Sequence, residues 1–92
     1  MIHAIVLINV TRGQIDPVAR TLMDLPGVSE VYSIAGRFDL VVILRVKQHE
    51  ALSSLVAVDI QKCPGVESTE TLIAFRAYSR HDLEALFGSG AR

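Results

Sequence analysis

Ninety-two residues, half of them hydrophobic and with a formal net charge of −1, bound the chain to one domain with a small core. Basic and acidic residues are interspersed without a Lys/Arg stripe, which argues against a nucleic-acid surface. The longest apolar runs, Ala4 to Ile8 and Leu40 to Leu44, are far too short to span a membrane. Met1-Ile2-His3 has no basic n-region, and the single cysteine, Cys63, excludes an internal disulfide. Together these point to a cytoplasmic protein.

Ile2 to Val10 is rich in β-branched and aliphatic residues and ends at Thr11-Arg12-Gly13, so it reads as a strand. Asp16-Pro17 opens a helix, with Asp16 as its N-cap and Pro17 at a position that loses no hydrogen bond. Ile15, Val18, Leu22 and Leu25 recur at helical spacing until Pro26-Gly27 stops them. Val28 to Ala35 is the second strand, with Val28, Tyr32 and Ile34 assigned to one face. Gly36-Arg37-Phe38-Asp39 is a turn into a third strand, Leu40 to Val46, and so short a connection predicts a hairpin. Gln48 to Lys62 is the second helix, with Leu52, Leu55, Val56 and Ile60 on its apolar face. Pro64-Gly65 ends it. Val66 to Tyr78 is the last strand, with Thr69, Thr71, Ile73 and Phe75 sharing a face. Ser79 caps a short final helix with Leu83, Leu86 and Phe87 as its apolar side, and the tail over 88–92 is expected to fray.

The chain nearly repeats itself. Leu25-Pro26-Gly27-Val28 returns as Cys63-Pro64-Gly65-Val66, 38 residues later, and each copy sits between a helical stretch and a β-rich one. The phasing is β-α-β twice, which predicts an α+β split βαβ pair with strands one and three at the centre of an antiparallel sheet. Right-handed crossovers then place both helices on one face.

Two helices cover only one side of such a sheet. The uncovered side should be polar, yet either Ile5 and Leu7 or Val6 and Ile8 must lie on it, with either Val41 and Ile43 or Leu40, Val42 and Leu44. Leaving four such side chains in water forgoes roughly 1.5–3 kcal/mol each. A second copy of the sheet, related by a two-fold axis, buries the patch against itself, so a homodimer with sheets face to face is predicted.

The motifs Leu25-Pro26-Gly27-Val28, Gly36-Arg37-Phe38-Asp39-Leu40 and Pro64-Gly65-Val66 followed by Thr69-Glu70-Thr71, in this order on a βαββαβ frame, resemble the C-terminal amino-acid-sensing (RAM) domain of the Lrp/AsnC regulator family. The likeness runs from Ile2 to about Tyr78. It implies a ferredoxin-like fold, dimers through the sheet face, and further assembly into rings such as octamers. That family usually carries a helix-turn-helix domain ahead of this module. Met1 starts directly on the first strand, so the chain resembles the stand-alone members and DNA binding is not carried over. The resemblance also implies an amino acid bound between subunits, lined by Gly36, Arg37, Phe38 and Asp39 and by Thr69 and Thr71. Phe38 stands where the family often has Tyr, which removes a phenol hydroxyl, and Arg37 fills the variable slot.

The residues themselves allow that role. Gly36 permits close backbone approach, turn amides suit a carboxylate, and Asp39 can accept from an α-ammonium. A plain hairpin turn and plain strand-forming threonines explain the same residues without a ligand. His3, His49 and His81 are too dispersed for a metal site, and no cofactor is implied. Cys63 reads as a structural thiol, and Glu67, Glu70, Asp82 and Glu84 as solvated charge. No catalytic constellation emerges, so the expectation is a non-catalytic amino-acid-sensing and oligomerisation module. A small cofactor-free oxygenase or isomerase, using His3 and Asn9 between sheet and helices, is the enzymatic alternative. A pure interaction module that tunes full-length regulators is the third reading.

Overall fold

The computed structural model describes residues 1–78 and residue 80. Its elements run β1 (Ile2–Val10), α1 (Ile15–Met23), β2 (Val28–Ser33), β3 (Leu40–Val46), α2 (His49–Ser54) with a π-helical continuation (Leu55–Asp59), and β4 (Val66–Ala74). All strands pair antiparallel in the order β2-β3-β1-β4. This is the βαββαβ, ferredoxin-like arrangement, with β1 and β3 central as the repeat predicts. The predicted final helix from Ser79 lies outside the described residues.

Strand alternation decides which side is dry. Ala4, Val6, Ile8 and Val10 of β1 and Leu40, Val42, Leu44 and Val46 of β3 are buried, and Val18, Leu22, Leu52, Leu55 and Ile60 from the helical segments close over them. The opposite face carries Ile5 and Leu7 opposite Ile43 and Val41, all only partly buried, with Leu72 beside Ile5 on the far strand.

The pseudo-symmetry extends to atomic detail. Gly27 and Gly65 have φ near +97° and +96°, a region in which L side chains are strained. Each packs on the other half of the chain: Gly27 against Val46 and Leu55, Gly65 against Val18 and Gln14. The Gly27 carbonyl accepts from the Arg45 amide at 2.9 Å and the Gly65 carbonyl from the Thr11 amide at 2.8 Å, so each Pro-Gly turn is tied to the strand end of the opposite half. Glycine is required at both points by conformation and by space.

Several boundaries differ from the periodicity. Asp16 is not the N-cap: α1 starts at Ile15 behind Gln14, and the Asp16 carboxylate instead pairs with Arg20 one turn on, at 2.7 Å. In β2 the register slips between Val28 and Glu30, so Val28 and Val31 face the core while Tyr32 turns to the helix-free side. A bulge of this kind inverts alternation beyond it, which is why Val28 and Tyr32 do not share a face. β2 ends at Ser33 rather than Ala35, and β4 at Ala74 rather than Tyr78. Phe75 therefore falls past the strand, fully exposed, and does not continue the Thr69-Thr71-Ile73 row. The second helix changes to π geometry midway, with the Ile60 amide bonded to the Leu55 carbonyl five residues back at 2.9 Å.

Candidate functional site

The turn at 34–39 joins β2 to β3 at the same end of the sheet as the C-terminus of β1. The Ile34 amide donates to the Asp39 carbonyl at 3.0 Å, and the Asp39 amide to the Ile8 carbonyl at 2.9 Å. The Asp39 carboxylate then accepts the Val10 amide through Oδ2 at 2.9 Å. Asp39 is thus half-buried and fastens the turn to the strand beside it. One carboxylate oxygen is committed to backbone, so only part of this group is left for a ligand ammonium. Gly36 has φ +139° with open space where a side chain would be, and Arg37 beside it is exposed. Phe38 is half-buried.

Thr69 and Thr71 lie two strands away from Asp39, on the side of β4 that faces the helices, opposite Ile8 and Val6. The Thr69 hydroxyl accepts from the Gln61 side-chain amide at 3.0 Å, and the same amide reaches the Val56 carbonyl at 3.2 Å in the π-helical stretch. Thr71 and Ile73 open instead onto a groove of about 220 Å³ walled by His49, Leu52, Ser53 and Val56. Within one chain the two halves of the anticipated site are therefore separate. Gly36, Arg37, Phe38 and Asp39 cluster at one end of the sheet, while Thr69 and Thr71 border α2 along its edge strand.

A second hollow, about 490 Å³ and open to solvent, lies where Asp39 meets the β1–α1 loop. Val10, Arg12, Gly13, Ile15 and Glu67 wall it with Asp39. Arg12 and Gln61 carry no motif, and Glu67 reads from the sequence as solvated charge. Glu67 reaches this hollow because β1 and β4 slip register there, and a single sequence does not announce a bulge. Among the described residues there is no group of three or more His, Cys, Asp or Glu able to hold a metal, and no helix is long and apolar enough to cross a membrane. Burial raises the Cys63 thiol above its ordinary pKa, and the side chain lies in the core.

The family model of the Lrp/AsnC ligand binding domain matches residues 3–83. The HTH-type transcriptional regulator FL11 of Pyrococcus abyssi is 39% identical over 75 residues, covering 82% of this chain and 49% of the regulator. The chain thus spans about half the length of the curated relatives it matches. Among solved structures, TTHA0845 from Thermus thermophilus is 45% identical with a TM-score of 0.80, over 87% of this chain and 100% of that one. The feast or famine regulatory protein from M. tuberculosis, complexed with L-methionine, is 28% identical with a TM-score of 0.72, over 87% of this chain and 54% of that one. With a family match across most of its length and the βαββαβ sheet built above, the chain belongs to the Lrp/AsnC ligand-binding domain family.

Proposed function

We propose that this chain is a non-catalytic regulatory module that binds an amino acid and self-associates through the helix-free face of its sheet. The observation that carries the reading is that face. At its centre Ile5, Leu7, Val41 and Ile43 form one apolar patch. Leu72 extends the patch onto β4, and polar pairs flank it: Glu30 accepts from the Tyr32 hydroxyl at 2.7 Å, Arg45 donates to Ser29 at 2.6 Å, and Asn9 donates to Ser68 at 3.3 Å. An apolar centre flanked by polar groups is the anatomy of a protein interface, and a two-fold axis lets the patch bury itself.

Stacked dimers can assemble further into rings, and crevices between subunits can bring the Gly36–Asp39 turn of one copy toward Thr69 and Thr71 of another. The amino-acid class of ligand is supported by the relative complexed with L-methionine. Ligand binding shifts assembly only through unequal affinity for two assembly states. Full-length regulators of the family are the natural protein partners in the cytoplasm.

The enzymatic reading loses its residues. His3 and Asn9 stand on the helix-free face, in register with Arg45 and Ser68, not between sheet and helices where a pocket enzyme of this shape would use them. The test combines sedimentation of the 92-residue chain with thermal shift against the twenty amino acids. A species larger than a monomer, stabilised by at least one amino acid at millimolar concentration, is expected. A lone ten-kilodalton particle indifferent to all twenty defeats the reading.

A further inference from the structure

The sheet has two edges, and β4 is the longer one. It pairs with β1 and runs nine residues, against six in β2. A long uncovered edge strand invites unwanted pairing, and proteins commonly shield it with a helix or loop. The second helix falls short of doing so. Thr71 and Ile73 lie on the helix side of β4, in register with Val6 and Ala4. Those two partners are fully buried, yet Ile73 is 54% exposed. The gap is the groove of about 220 Å³, whose other wall is His49, Leu52, Ser53 and Val56.

The groove opens where the chain leaves the sheet. β4 stops at Ala74, one residue past Ile73, and residues 75–92 follow. Within them Leu83, Leu86 and Phe87 fall in an arc of about 100° on a helix, with His81, Asp82 and Glu84 outside it. The family match ends at residue 83, so Leu86 and Phe87 lie beyond it. So short a segment is not a stable helix alone and needs a surface for its apolar side. Residues 75–82 reach at most about 26 Å when extended, ample to turn back onto a groove beside which they begin. An apolar cavity of about 150 Å³ takes a benzene ring, so the groove has room for the Phe87 ring.

We propose that the groove between the second helix and β4 is the docking site of the chain's own C-terminal segment, with Leu86 and Phe87 seated against Leu52, Val56 and Ile73. The tether begins at the rim of the groove. A short tether holds the segment at an effective concentration in the millimolar range, which favours it over a second copy or a foreign helix. Seated there, the segment covers the β4 edge. It also withholds the Thr71 hydroxyl from the intersubunit ligand proposed above, and only that consequence rests on the amino-acid reading.

The test is disulfide trapping in the 92-residue chain, with Cys63→Ala removing the native thiol. Ser53→Cys places a thiol on the groove wall and Leu86→Cys one on the apolar side of the segment. The control pair is Lys62→Cys with Leu86→Cys, residue 62 being exposed near the far end of the second helix. Under mild oxidation the groove pair should close within one chain at least about tenfold faster than the control pair, the advantage of a seated over a wandering tether. A second measurement needs no added thiol: in amide NMR spectra of Phe87→Asp, the signals of Leu52, Val56 and Ile73 should move. Those of Val31 and Tyr32, on the opposite edge of the sheet, should stay and show that the fold is intact. Cross-links between chains rather than within one would assign the groove to a second copy and overturn the proposal. Equal rates for the two pairs, or groove signals unmoved by Phe87→Asp, overturn it as well. No readout involves a ligand, so a failure of amino-acid binding leaves this result standing.

Discussion

A Cβ placed on Gly65 would lie 2.7 Å from Val18 Cγ2, closer than real Cβ contacts come. Val18 is itself 1% exposed, so it has no room to retreat. Gly65→Ala therefore combines an unfavourable positive φ with a core clash, and should cost about 2–4 kcal/mol. Gly36→Ala meets no atom within 4 Å and suffers only its φ of +139°, for about 1–2 kcal/mol. Urea denaturation of the two variants should rank them in that order, with unchanged slopes.

Asp39 joins the turn to β1 through the Val10 amide. Asp39→Ala leaves that amide without its acceptor in a half-buried position and should lose about 1–3 kcal/mol. Asp39→Asn keeps an acceptor oxygen and should lose less than half as much. The same urea titrations decide it, and the asparagine variant also separates folding from any electrostatic role toward a ligand.

The apolar patch around Ile43 is the proposed interface. Ile43→Lys puts a charge at its centre, where two copies would meet across the axis, and desolvating that charge costs more than the patch returns. Sedimentation should show the variant as a folded monomer while wild type sediments as a dimer or larger. Lys62→Glu, exposed near the end of the second helix, should leave the sedimentation of wild type unchanged.

Cys63 is held neutral by burial, its pKa raised above the ordinary thiol value. The unfolded chain ionises first as pH climbs, so the stability contributed by the neutral thiol is complete below the ordinary thiol range, near pH ~8.5, and declines as pH rises through it toward the native value. Thiol labelling at pH 8 should be at least about tenfold slower in native protein than in urea. Between pH 7 and 10, Cys63→Ala should lose less of its urea midpoint than wild type.

The architecture was legible because it rests on local signals. The two Pro-Gly-Val turns, the aliphatic runs Ile2 to Val10 and Leu40 to Val46, and the helical spacing of Val18 with Leu22 each depend on residues close in the chain. Their repetition is enough to imply two βαβ units and a sheet with one uncovered side. Which residues lie on that side was a strict either-or in the sequence, since both faces of β1 are apolar. Only packing chose, putting Val6 and Ile8 under the helices and leaving Ile5 and Leu7 outside.

The site was less legible, and the reason is register. Gly36 to Asp39 stood out as a motif, but that the Asp39 carboxylate holds the Val10 amide 29 residues away is a long-range fact. Glu67 looked like solvated charge because alternation along β4 says nothing of a slip against β1. Thr69 looked like a free hydroxyl because nothing local foretells that a π-helical turn brings Gln61 to it. Periodicity and turn chemistry act over a few residues and so determine the elements and their order. Bulges and widened helical turns arise when strands and helices are fitted to one another, so only the tertiary structure decided which side chains share a pocket.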